Sequence, residues 1–319
     1  GRREPLDLEP ITGISVTPNS ELALVAGPTG VHAVDLMPAA PTAAELDTGL
    51  PITGISITQD GEKAVVGRED GVSIIDVATL AVAKIDAPTP VSNIALTPTG
   101  SLPNRLAVYA KLDGVVTVDL DSGDVDQVTT PAPVTDLDVT MDGAKAAVGT
   151  IEGVTVVDLA ASPLTSDDAM TTVPLQTGLS LSPDSLLALV GVPNGVALVE
   201  MGTLAVTEIA LPTPVTNLSV TSDSAKAVVG TVSGAAIVRL SPKTAKHIDG
   251  PRAEIGATIA PDDSRAVLGM EEEVWILDLA TETHSSPYDS PPVLNDLPDS
   301  GQGPNNPAGE RGEDTSRDG

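Results

Sequence analysis

The chain has 319 residues, 41% of them apolar, and its 45 acidic against 16 basic side chains leave a net charge of −29. With no Phe, one Trp and two Tyr, the aromatic platforms that stack nucleobases and the cages that hold quaternary cations are excluded. The acidic field repels nucleic-acid phosphates and anionic lipid, no apolar run approaches the roughly 20 residues of a membrane-crossing helix, and the absence of cysteine removes disulfides, thiolate metal sites and thiol nucleophiles.

In chain order, Gly1-Arg2-Arg3-Glu4-Pro5 leads into acidic rather than apolar sequence, so no secretory signal is expected there. Beyond it, a short motif of an apolar residue, usually Asp, then another apolar residue returns at intervals of about forty residues. Its centres are Asp35, Asp76, Asp119, Asp158, Glu200, Arg239 and Asp278, which makes seven repeats. The second repeat shows the internal grammar. Ile52-Thr53-Gly54-Ile55-Ser56-Ile57 predicts a short inner strand, and Asp60-Gly61 a tight turn into Ala64-Val65-Val66-Gly67. Glu69-Asp70-Gly71 then returns the chain as Val72-Ser73-Ile74-Ile75-Asp76-Val77, and a fourth stretch from Ala81 to Ile85 ends before Pro88 and Pro90. No segment carries the period of a three-turn helix.

Four short strands repeated seven times predict an all-β chain: a seven-bladed β-propeller of four-stranded antiparallel blades over residues 1–284. Leu6-Asp7-Leu8 stands before the first inner strand as outer strands stand before later ones. It is therefore expected to join the last blade and close the ring, hiding edges that would otherwise pair with other chains. Ser101 to Arg105 and Ser162 to Met170 lengthen the repeat and are expected to be exposed loops. Residues 285–319, rich in Pro, Gly and acidic residues, are expected to form a disordered tail.

Two stretches, Leu179-Ser180-Leu181-Ser182-Pro183-Asp184-Ser185 and Val72-Ser73-Ile74-Ile75-Asp76-Val77-Ala78-Thr79, resemble the YVTN-type β-propeller repeat. The resemblance spans residues 5 to 284 and implies surface or extracytoplasmic proteins that act as binding modules or scaffolds. No Trp-Asp pair ends the third strands, which separates the chain from WD-type propellers. The aromatic expected in the second strand survives only as Tyr109, so the core must be aliphatic.

The recurring Asp is expected to hydrogen-bond the turn that follows it, and Glu200 and Arg239 in the same slot argue against a symmetric metal ring. Aligned inner strands carry Gly13, Gly54, Asn93, Asp136, Gly178, Asn217 and Gly256 at one position, with Asp138 two places after Asp136 on the same face. Two carboxylates where blades converge cost desolvation unless they are solvated or paired. Either they face channel water, or a basic side chain or a divalent cation such as calcium relieves them, with Asn93 and Asn217 as further oxygen donors. The acidic stretch from Asp119 to Asp126 lacks the spacing of an EF-hand loop and reads as a solvated turn.

No nucleophile–base motif, paired-His metal site or phosphate loop is legible, and His32, His247 and His284 fall at unrelated points of the repeat. No catalytic residue and no cofactor are expected. The sequence reads as a non-catalytic protein-interaction or scaffold module, extracytoplasmic (periplasmic, secreted or cell-surface). Its expected partner is another protein, basic or part of a larger complex, with no nucleic acid and no membrane insertion. The alternative is a lactonase-type hydrolase or a metal-binding protein using the central channel.

Overall fold

A computed structural model describes residues 11–27, 30–37, 42–48, 52–86, 91–100, 105–170, 177–271 and 273–285. Among these residues there are seven four-stranded antiparallel sheets and no helix, each sheet built from four consecutive strands in chain order. The fold is the seven-bladed all-β propeller expected from the repeat. In the fourth blade the strands run Val134–Val139, Lys145–Thr150, Gly153–Asp158 and Thr165–Met170, from innermost to outermost.

Burial explains the composition of each strand. The second and third strands of a blade lie between neighbouring blades and have an apolar environment on both faces. They are therefore continuous Ala, Val, Leu and Ile runs rather than alternating ones, as in Lys63–Arg68 and Gly71–Asp76. Outer strands alternate, with Val125–Thr129 exposing every second residue. Six apolar clusters each join one blade to the next. Val and Ala fill most of this space, and Tyr109 and Trp275 are the ring-bearing exceptions; burial pushes the wholly buried Tyr109 phenol well above the usual range.

A device absent from the sequence reading locks the first hairpin of six blades. The buried hydroxyls of Thr17, Thr58, Thr97, Thr140, Ser182 and Thr221 each accept the amide that reopens the second strand; Thr97 and Thr140 donate to the carbonyl of the same residue, whereas Thr17, Thr58, Ser182 and Thr221 donate most closely to the side-chain oxygens of Asn19, Asp60, Asp184 and Asp223. Ala260 holds the equivalent place in the last blade. Lysines then tie blades in pairs: Lys63 Nζ donates to the Leu120 carbonyl at 2.8 Å, Lys145 to Met201 at 2.9 Å, and Lys226 to Leu279.

One expectation is corrected. Thr165–Met170, expected to be loop, pairs along its whole length with Gly153–Asp158 as an outer strand. An outer strand at the rim meets solvent, so polar residues suffice and no apolar period marks it; Asp168 accepts from Thr155 Oγ1 at 2.6 Å. Among the described residues, the outermost strand of the last sheet is Thr283–Ser285. The Asp278 carboxylate turns the chain back there by accepting the amides of Ala280 and Thr281. Leu6 to Leu8, Ser101 to Asn104 and residues 286–319 lie outside the described residues.

Candidate functional site

The inner strands bring three of the four channel candidates onto adjoining blades. An innermost strand has a hydrogen-bonded neighbour on one side only, so alternate amides on its other edge need acceptors from outside the sheet. Asp136 and Asp138 supply them. Asp136 Oδ2 accepts the amide of Leu179 at 2.8 Å and Asp138 Oδ2 that of Leu181 at 3.0 Å, both on the next blade. The other oxygens accept from within their own strand, the Leu137 amide on Asp136 and the Val139 amide on Asp138, each at 2.8 Å. Asn93 reaches from the preceding blade to donate Nδ2 to Asp136 Oδ1 at 2.8 Å. Asn93 holds φ at +38°, a conformation that Asn tolerates better than most residues.

A β-bulge immediately before Asp136 sets its aim, since the register slips between Val134 and Asp136. The two carboxylates thus clamp three consecutive inner strands. Asn217 does not join them: its Nδ2 donates to Thr216 Oγ1 at 3.2 Å, and its Oδ1 is buried without a hydrogen-bond partner. Among the described residues no three His, Cys, Asp or Glu side chains gather in a metal-holding group.

Desolvation pushes the Asp138 carboxyl above the ordinary range; the Leu181 and Val139 amides oppose the shift and the Asp136 charge adds to it. A raised folded-state pKa means that the folded protein holds this proton more tightly than the unfolded chain does. Its stabilising contribution is complete below the unfolded value and is lost as pH rises through the folded one. Asp138→Asn keeps an acceptor without a charge, so its melting temperature relative to the parent is expected to improve as pH rises from 4 to 7. Melts across that range would disprove the assignment if the difference stayed flat or fell.

The recurring acidic residue does what its turn position implied. Asp35, Asp76, Asp119 and Asp158 each accept amides of the following turn. Glu200 takes the Thr203 hydroxyl, while Arg239 instead donates to Glu282 of the next blade. The acidic stretch after Asp119 is bonded internally and to Arg105, whose Nη2 lies 2.8 Å from Asp121 Oδ1. That guanidinium holds Asp121 below the usual carboxylate range.

Register also joins three residues that spacing did not connect. His247 Nε2 lies 3.3 Å from Ser233 Oγ and 3.3 Å from Asp249 Oδ1. A proton relay needs its acid and its nucleophile on opposite ring nitrogens. Here both converge on one, while Nδ1 is buried with no partner, so the trio is not a catalytic triad. His284 stacks on Trp275 with ring centroids 3.8 Å apart, and the indole Nε1 donates to Glu273 at 2.7 Å.

Where the first three blades meet at their turn-bearing face there is a groove of ≈ 1000 Å³. Its lining includes Glu21, Asp35, Glu62, Asp76 and Asp121 with Lys63 and Arg105. Arg105 bridges Asp60, Glu62 and Asp121 across it at 3.0, 2.7 and 2.8 Å.

Among solved structures, a chain of Kuenenia stuttgartiensis hydrazine synthase matches with a TM-score of 0.58 at 14% identity, over 90% of this chain and 97% of that one. A chain of a mitotic checkpoint complex matches with a TM-score of 0.60 at 15% identity, over 86% of this chain and 94% of that one. Both likenesses are of fold. No family model and no curated protein matches. Among the described residues no helix is long and apolar enough to cross a membrane.

Proposed function

We propose that this chain is a non-catalytic protein-interaction module, a YVTN-type propeller working within an extracytoplasmic assembly. The observation that carries the reading is how the channel carboxylates are used. Asp136 and Asp138 accept five hydrogen bonds from three blades, so the acidic groups nearest the axis hold the ring together rather than face a substrate. The groove over the first three blades offers a broad acidic concavity on short turns, which suits a basic macromolecular surface better than a small molecule. One of the similar chains belongs to a multiprotein complex, in keeping with a protein partner. The proposal includes no cofactor and no catalytic residue.

Affinity capture from native extract with cross-linking mass spectrometry tests it. A specific protein cross-linked beside Glu21 and Met37, and weakened at least tenfold by Glu21→Lys, is the expected result. Failure to capture any partner at both low and high salt would overturn the reading, as would calcium-dependent lactone hydrolysis abolished by Asp136→Asn.

A further inference from the structure

One turn position departs from the repeat in the fifth blade. The residue just before each second strand accepts, on its carbonyl, the amide of the residue that follows the third strand, as Leu186 does from Met201 at 2.9 Å. Its side chain takes no part in that bond, and in the other six blades it is Glu21, Glu62, Arg105, Ala144, Ala225 or Ser264. The fifth blade places a large apolar side chain there, and Leu186 is 63% exposed. It borders a concavity of ≈ 400 Å³ between the fifth and sixth blades, lined also by Leu187, Leu240, Gly202 and Glu200. Gly202 keeps this space open, since no atom lies within 4 Å of a Cβ added to it.

Charge reverses beside this concavity. Between residues 215 and 249 the sixth blade carries Lys226, Arg239, Lys243 and Lys246 against Asp223 and Asp249, whereas each of the other six blades holds more acidic than basic residues. Arg239 stands where the repeat elsewhere has Asp or Glu. Lys243 Nζ lies 3.1 Å from Glu200 Oε1, on the lining of the concavity. Farther across the blade, Lys226, Arg239 and Lys246 all gather on one carboxylate, that of Glu282, so positive charge is left in excess. An acidic segment approaching any other blade meets charge of its own sign. Here it meets the opposite sign, next to exposed apolar surface.

We propose that the fifth and sixth blades form, on the turn-bearing face, a docking surface for an acidic segment of a protein partner. One apolar side chain of the segment packs on Leu186 in the space above Gly202, and the carboxylates that follow it cross the sixth blade over Lys243, Arg239 and Lys246. Burial of the apolar side chain supplies attraction that salt leaves in place, while the exposed cations select the sign of the partner's charge and are screened by salt. The surface is distinct from the acidic groove over the first three blades. The same face thus offers opposite charges at two places and can fix the orientation of a partner that carries both. Occupancy of this surface does not depend on use of the groove.

The probe is a short fluorescein-labelled peptide with one leucine followed by a run of aspartates, titrated with the full-length chain and read by fluorescence anisotropy. Saturable binding is expected, stronger at low salt, and about tenfold weaker or more when the leucine is replaced by serine or the aspartates by lysines. Gly202→Phe fills the space without its Cβ meeting a neighbour, so it is expected to keep the parent melting temperature while weakening binding about tenfold or more. Lys243→Glu is expected to weaken binding similarly and to flatten its salt dependence. A cross-link beside Glu21 and Met37 reports on the groove separately, so either surface can fail without the other. No binding of the peptide at low salt would overturn the proposal, as would binding indifferent to Gly202→Phe. Equal binding of the serine-bearing peptide, displaced by inorganic phosphate alone, would overturn it in favour of a simple anion site on the sixth blade.

Discussion

Asp136→Ala is expected to lose about 3 kcal/mol of folding stability, because a half-exposed carboxylate that accepts from Asn93, Leu137 and Leu179 gives up charge-assisted bonds usually worth about 1.5–3 kcal/mol each, which water replaces in part. The Leu179 amide and the Asn93 side chain are left seeking acceptors at a blade junction, where their reorganisation is limited. Asp138→Ala is expected to cost less. It removes two bonds but also a carboxylate whose charged form is opposed by burial. Urea unfolding followed through Trp275, the only tryptophan, measures both. A loss below about 1 kcal/mol for Asp136→Ala would refute the clamp. Calcium binding that vanished while stability held would restore the channel as a ligand site.

The order of these two effects could not have been read from the sequence, although the residues could. Asp136 and Asp138 stood out because small residues occupy their places in other repeats, a pattern that shows which positions are unusual but not which groups they meet. Their partners, the amides of Leu179 and Leu181, are chemically silent in a sequence: every residue but proline has one. Only the one-sided pairing of an innermost strand shows which amides need an acceptor. The turn aspartates were legible for the opposite reason, because Asp35, Asp76, Asp119 and Asp158 bond amides two or three residues away and the whole interaction lies within one motif.

The same distinction runs through the fold. Middle strands were legible because burial between blades leaves continuous apolar runs. Thr165–Met170 was not, because a rim strand meets water and carries polar residues such as Asp167 and Asp168. The threonine staples recur as regularly as the aspartates. They were passed over because a lone Thr at a strand end looks like ordinary β-propensity until the register shows its hydroxyl accepting the backbone amide of the residue across the hairpin. Asn217 was grouped with Asn93 by alignment alone. In space it bonds its own neighbour, and only Asn93 reaches the carboxylates.

Backbone geometry gives the second large effect. The third strand begins at Gly30, Gly71, Gly114, Gly153, Gly195 and Gly234 in six blades, and at Gly30, Gly114, Gly195 and Gly234 a Cβ would meet the outer strand's main chain. At Gly234 φ is +126°, and a Cβ there would overlap the Ile248 carbonyl oxygen and lie 2.7 Å from the Gly250 nitrogen. Neither obstacle is a side chain that can swing away, since Ala235 pairs with Ile248 and Gly234 with Asp249 in the same sheet. Gly234→Ala is therefore expected to cost about 3 kcal/mol or more, from backbone strain together with displacement of the outer strand. Gly202→Ala is the matched control. No atom lies within 4 Å of its added Cβ and its φ is ordinary, so it is expected to be neutral or to stabilise by about 0.5 kcal/mol through a less flexible unfolded chain. Equal urea midpoints for the two variants would show that the outer strand of the sixth blade yields freely. In that event the rim would not be the fixed frame on which a docking face depends.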